Sequence, residues 1–110
     1  MDFDKCIRQK NGVEGEGGKG APNKLTVVDF YATWCPPCKA AVPIYAGMSD
    51  EFKSRGVHFF KVDVDKCRDI ATREEIRAMP TFKVYKGGKC LETIQGWSEL
   101  GLREAIGKCI

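Results

Sequence analysis

Cys35 and Cys38, in the run Trp34-Cys35-Pro36-Pro37-Cys38-Lys39, are the residues of this chain whose type and spacing point most directly to chemistry. Two thiols three positions apart can supply half of a zinc site, or they can make and break a disulfide with each other. Zinc requires two further ligands at matching spacing. The chain has no second Cys-x-x-Cys and a single histidine, His58, inside an apolar run, so no metal site is expected. Disulfide exchange instead requires one sulfur held as a thiolate and a second within reach. The unpaired N–H groups and positive dipole end at a helix N-terminus meet the first condition.

The elements around the pair read accordingly. Residues 25–32 (LTVVDFYA) form a continuous β-branched and aromatic run, the pattern of a strand buried on both faces. Residues 39–55 follow with helical spacing through Val42, Tyr45, Met48 and Phe52, ending at Gly56 as a C-terminal cap. Pro36 and Pro37 fall in the first turn, where a missing N–H costs little, and Pro43 inside the helix is expected to kink it. The Cys pair therefore sits between a buried strand and a helix N-terminus, with Cys35 as the exposed nucleophile and Cys38 as the more shielded resolving thiol.

Residues 57–64 read as a second buried strand, and Asp65 as the cap of a helix over 66–77. The resulting β-α-β unit makes the two strands parallel. Two short strands, 81–85 and 90–95, flank Lys86-Gly87-Gly88-Lys89 as a hairpin, and Ser98 can cap a last helix over 99–108. The fold class is therefore α/β, a central mixed sheet flanked by helices on both faces.

Composition excludes several other classes. A chain of 110 residues, 43% hydrophobic and 30% charged, fits one globular domain. Its formal charge of +3 arises from basic and acidic residues scattered along the chain, without the clustered cationic face that nucleic acid requires. No stretch approaches the roughly 20 apolar residues of a membrane span. Residues 1–5 are charged where a signal peptide would be apolar, so a cytoplasmic address and no membrane partner are expected. Residues 11–24 are rich in glycine and poor in apolar side chains, which makes 1–24 a weakly structured segment ahead of a domain at 25–110. Within it, Phe3 and Ile7 can anchor a short strand or a helical turn. Gly15 to Gly20 match G-x-G-x-x-G, but no strand precedes them and no helix follows, so no dinucleotide site is expected.

The run from Val28 to Lys39, with Pro43 five residues past Cys38, resembles the active-site segment of the thioredoxin family. Lys61-Val62-Asp63-Val64-Asp65 resembles that family's next strand, Met79-Pro80-Thr81-Phe82 its cis-proline loop, and Gly96 the glycine beside its active site. The resemblance covers residues 25–110 and implies the thioredoxin fold and a protein-disulfide reductase that serves cell redox homeostasis. It implies that Asp29 is a buried proton relay beneath Cys38, with Lys61 as its partner. It further implies that Trp34, Pro36, Pro37, Met79, Pro80 and Gly96 dock substrate, with Pro80 cis. No bound cofactor is implied. Electrons would come from NADPH through thioredoxin reductase, disulfide-bearing proteins would be the substrates, and the chain would act as a monomer.

Each of these has a plainer counterpart. Asp29 can be a structural ion-pair residue, Pro80 an ordinary trans proline and Trp34 a core side chain. The Pro-Pro between the cysteines is similar to the tryparedoxins and leaves a low-molecular-weight thiol open as donor. A non-catalytic adaptor of the same fold also remains open. The family's first strand and long first helix have no matching pattern in the glycine-rich segment. Cys67 resembles a non-catalytic cysteine of animal relatives and reads either as a regulatory thiol or as an inert small side chain. Pairing among Cys6, Cys90 and Cys109 cannot be deduced from spacing.

Overall fold

A computed structural model describes residues 7–9 and 25–110. In chain order the elements are β1 (Ile7–Gln9), β2 (Leu25–Tyr31), α1 (Pro36–Lys53), β3 (Val57–Asp63), α2 (Arg68–Arg73), β4 (Thr81–Lys86), β5 (Lys89–Gln95) and α3 (Glu99–Cys109). The strands form one sheet in the order β1-β3-β2-β4-β5. Strand β2 runs parallel to β3 and antiparallel to β4, while β1 and β5 close the edges antiparallel to their neighbours. The edge strand β1 begins at Ile7 and takes the short-strand alternative read there, within a segment that otherwise read as weakly structured. Three residues are too few to carry a hydrophobic pattern, and their pairing with Phe60, Lys61 and Val62 is a long-range choice.

Alternation along β2 divides the core in two. Leu25 and Val27 face α1 and α3, packing with Ala41, Tyr45, Met48, Phe52, Leu102 and Ile106. On the other side, Val28 and Phe30 pack with Val62, Val64, Cys67 and Ile70, alongside Cys35 and Cys38. With both faces covered, the six residues from Leu25 to Phe30 are all buried, as their uninterrupted apolar run requires. No helix among the described residues is long and apolar enough to cross a membrane.

Several local features differ from the sequence reading. The buried stripe of α1 runs through Cys38, Ala41, Tyr45, Met48 and Phe52, while Val42 is 43% exposed. Small alanine, not valine, faces the sheet where helix and strands approach. Helix α2 is shorter than the span 66–77 and starts at Arg68. Cys67, not Asp65, takes its N-cap position, without a side-chain cap, and the Asp63 carboxylate accepts from the amides of Asp65 and Lys66 in the turn before the helix. The carboxylate of Asp65 is engaged elsewhere, on the Trp34 indole.

The hairpin between β4 and β5 turns on Gly87 and Gly88 alone, both at positive φ (61° and 78°), the geometry that matches strand twist and that side chains with a Cβ resist. Ser98 caps α3, its hydroxyl accepting from the Gly101 amide at 3.0 Å. Ser98→Ala is expected to lower unfolding stability by about 1 kcal/mol, read from the urea midpoint at unchanged m-value.

Candidate active site

Strand β2 ends at Tyr31, and four residues later Cys35 occupies the N-cap of α1 in an extended conformation (φ −92°, ψ 114°). Pro36 and Pro37 fill the first two helical positions, so the first backbone N–H of the helix belongs to Cys38. That N–H donates to the Cys35 sulfur at 3.3 Å. The helix therefore directs one amide donor and its positive end at a single sulfur, the arrangement that favours a thiolate once the pair is reduced. Cys35 and Cys38 are joined as a disulfide, their Cα atoms 5.2 Å apart.

The expected contrast in exposure is absent: Cys35 is 4% and Cys38 3% exposed. The Met79 carbonyl oxygen lies 3.6 Å from the Cys35 sulfur and helps to cover it. What distinguishes the two cysteines is position on the helix, N-cap against third residue.

Pro37 also has a measurable effect. Replacing it by alanine restores an N–H at the second helical position, where an N-cap side chain commonly finds a donor. In the reduced protein, Pro37→Ala is expected to lower the Cys35 thiol pKa, since the added N–H can donate to the charged sulfur and favours the thiolate. Thiolate absorbance against pH measures it, and an unchanged midpoint would show that the sulfur already holds all the donors it can use.

The loop before β4 supplies the opposite wall. The Met79–Pro80 peptide bond is cis, and the Pro80 carbonyl accepts from the Gly96 amide at 2.7 Å, with Gly96 at φ +86°. This contact places Gly96, at the end of β5, beside Pro80. A residue with a Cβ resists that backbone conformation. Trp34 is 61% exposed and not a core residue. Its indole Nε1–H donates to Asp65 at 2.9 Å, which orients an aromatic face beside the cysteines. Pro36 and Pro37 are exposed on the same rim. Sequence reasoning missed Asp65 in this role, because a contact across 31 residues leaves no local signal.

Asp29 is 2% exposed on β2, in register with Lys61 on β3 and Phe82 on β4. It shares its face of the strand with Val27, beneath the helix that carries Cys38. Its charge reaches Tyr45: burial pushes that phenol well up from its ordinary value, and Asp29 adds to the rise. Lys61 stands next to Asp29 across the sheet, with its ammonium 4.4 Å from the centre of the Tyr31 ring.

Cys67 takes the N-cap position of α2, buried, with its sulfur in a disulfide. Among the described residues, Cys90 is an exposed free thiol and Cys109 a partly buried one, whose pKa is raised chiefly by burial. Cys6 lies outside the described residues. No cluster of three or more metal-ligating side chains occurs among the described residues.

Comparison with known proteins agrees with this geometry. The family model described as thioredoxin matches residues 19–108. A thioredoxin from Geodia cydonium is 52% identical over 108 residues, covering 97% of this chain and 90% of its own length. Thioredoxin-1 of Caenorhabditis elegans is 38% identical over 105 residues, covering 96% and 80%. Among solved structures, Schistosoma mansoni thioredoxin superposes with a TM-score of 0.76 at 42% identity, covering 81% of this chain and 80% of that one. With a paired Cys-x-x-Cys at a helix N-terminus, a mixed sheet covered on both faces and relatives of this similarity, the chain belongs to the thioredoxin family of thiol–disulfide oxidoreductases, which reduce protein disulfides.

Proposed function

We propose that Cys35 is the attacking sulfur and Cys38 the resolving one. The Cys35 thiolate attacks a target disulfide, forming a mixed disulfide and releasing one target thiolate. Cys38 then attacks the Cys35 sulfur, the second target thiolate leaves, and Cys35–Cys38 remains oxidised. Two electrons pass from the dithiol to the target, and the redox centre is the cysteine pair itself. The observation that supports this division of labour is the Cys38 amide on the Cys35 sulfur.

Asp29 serves as the base that takes the Cys38 proton, and its burial supports that role because a desolvated carboxylate binds protons more readily. Lys61, in register beside it, tunes the relay. Trp34, Pro36, Pro37, Met79, Pro80 and Gly96 frame the surface on which an extended target segment lies, hydrogen-bonded to the Met79 backbone. Cys67 would act as a regulatory thiol only after its disulfide is reduced.

In this reading the chain works as a cytoplasmic monomer, re-reduced by thioredoxin reductase at the expense of NADPH. The similarity of Pro36-Pro37 to the tryparedoxins leaves a second donor open, a low-molecular-weight thiol. Insulin reduction followed by turbidity, with each donor in turn, tests both. Rapid turnover with NADPH and reductase supports the first. Turnover only with the small thiol would replace it with the second, and none with either would end the proposal.

A further inference from the structure

The segment between α2 and β4 is anchored at its start more heavily than closing a short helix requires. Glu74, directly after α2, donates its N–H to the Ile70 carbonyl at 2.8 Å. Its own carbonyl accepts from the Lys83 ammonium at 2.6 Å, and its carboxylate accepts from the Tyr85 hydroxyl, also at 2.6 Å. The Lys83 ammonium lies 3.7 Å from the same carboxylate. Lys83 and Tyr85 are two residues apart on β4, so they project from one face of the strand and grip Glu74 together. Burial and Glu74 push the Tyr85 phenol up, so it keeps its proton and remains a donor.

With its side chain only 14% exposed, Lys83 holds a charge that is costly to leave unpartnered. Glu74 is therefore confined to one place. From there Glu75 turns the chain through a left-handed conformation (φ 59°). Ile76 and Met79 then pack against the core that includes Cys35 and Cys38. The far end is tied by the Thr81 hydroxyl to the Ala78 carbonyl and by Gly96 to Pro80. Residues 75–79 thus span two fixed points, and the second delivers the Met79 carbonyl to the Cys35 sulfur.

We propose that Glu74, held by Lys83 and Tyr85, is a positioning residue for protein substrates: it sets the path of residues 75–79 and hence where the Met79 backbone meets a target segment. This rests on the docking role given to Met79 above. A small aromatic disulfide, 5,5′-dithiobis(2-nitrobenzoate), has no peptide segment to dock and reads the cysteine chemistry alone.

Glu74→Ala and Tyr85→Phe are each expected to raise KM for insulin about five-fold, the factor carried by one ordinary hydrogen bond, without changing kcat. Rates with the small disulfide should stay within two-fold. Glu74→Gln keeps an acceptor for Tyr85 and should restore the insulin KM. Amide exchange at Ala78 and Met79, faster in Glu74→Ala, provides a readout independent of turnover. Pro80→Ala serves as the docking control. If it raises the insulin KM while the Glu74 and Tyr85 variants do not, the positioning role is overturned and docking stands. If none of the three raises it, docking fails and the inference fails with it. Equal loss on both substrates would reduce Glu74 to a structural residue and overturn the proposal as well.

Discussion

Cys35→Ser is expected to abolish insulin reduction, by a factor on the order of 1,000 or more, because removing the nucleophile of a covalent mechanism leaves little residual catalysis. A serine hydroxyl at the same N-cap can still accept the Cys38 amide, so the helix and the fold should survive. Loss of activity would then report chemistry and not unfolding. Cys38→Ser is expected to behave differently. Cys35 can still attack, but nothing resolves the product, and a mixed disulfide with insulin should accumulate and be visible by mass spectrometry under non-reducing conditions. The reverse pattern, in which Cys35→Ser traps the target, would exchange the two roles. Cys90→Ser and Cys109→Ser are the controls, since both thiols are free in the structure.

The largest expected effect on stability lies at Tyr45. Its ring is fully buried between Phe59 and Phe82, at centroid distances of 5.1 and 5.6 Å. Its hydroxyl meets the Val27 carbonyl at 3.1 Å and the Phe60 carbonyl at 2.7 Å. One side chain of α1 thus fills the core and ties the helix to both parallel strands. Tyr45→Ala is expected to cost about 4 kcal/mol, the usual scale for emptying a buried aromatic site. Against a total of about 5–15 kcal/mol for a domain, the loss would be plain in the urea midpoint. Tyr45→Phe isolates the hydroxyl and should cost about 1–2 kcal/mol, since it leaves buried carbonyl acceptors short of a donor. A Tyr45→Phe cost as large as that of Tyr45→Ala would mean that the hydroxyl, and not packing of the ring, dominates at this site.

Both predictions begin from residues that local pattern brings forward. Cys35 and Cys38 stand out by spacing, and Tyr45 by its place on an apolar helical stripe. The partners that give each residue its effect are less visible. Val27, Phe60, Phe59 and Phe82 meet Tyr45 only because β2, β3 and β4 lie side by side. Met79 reaches the Cys35 sulfur from 44 residues away, and Asp65 reaches Trp34 from 31. Glu74 looks like one more surface acid in Thr72-Arg73-Glu74-Glu75, and no periodicity singles it out.

What the amino-acid order determined by itself was therefore local. It specified a strand buried on both faces, a helix starting on the Cys pair, a Gly-Gly turn and a serine cap, because each depends on backbone preference and on spacing within a few residues. Tertiary structure alone decided the pairing of β1 with β3, the later start of α2 with Cys67 in place of Asp65 at its N-cap, the near-equal burial of the two cysteines and the grip of Lys83 and Tyr85 on Glu74. These depend on which distant groups compete for the same donors and on which surfaces are covered once the sheet and its helices have packed. Such competition is settled by neighbours in space, and a one-dimensional pattern does not record them.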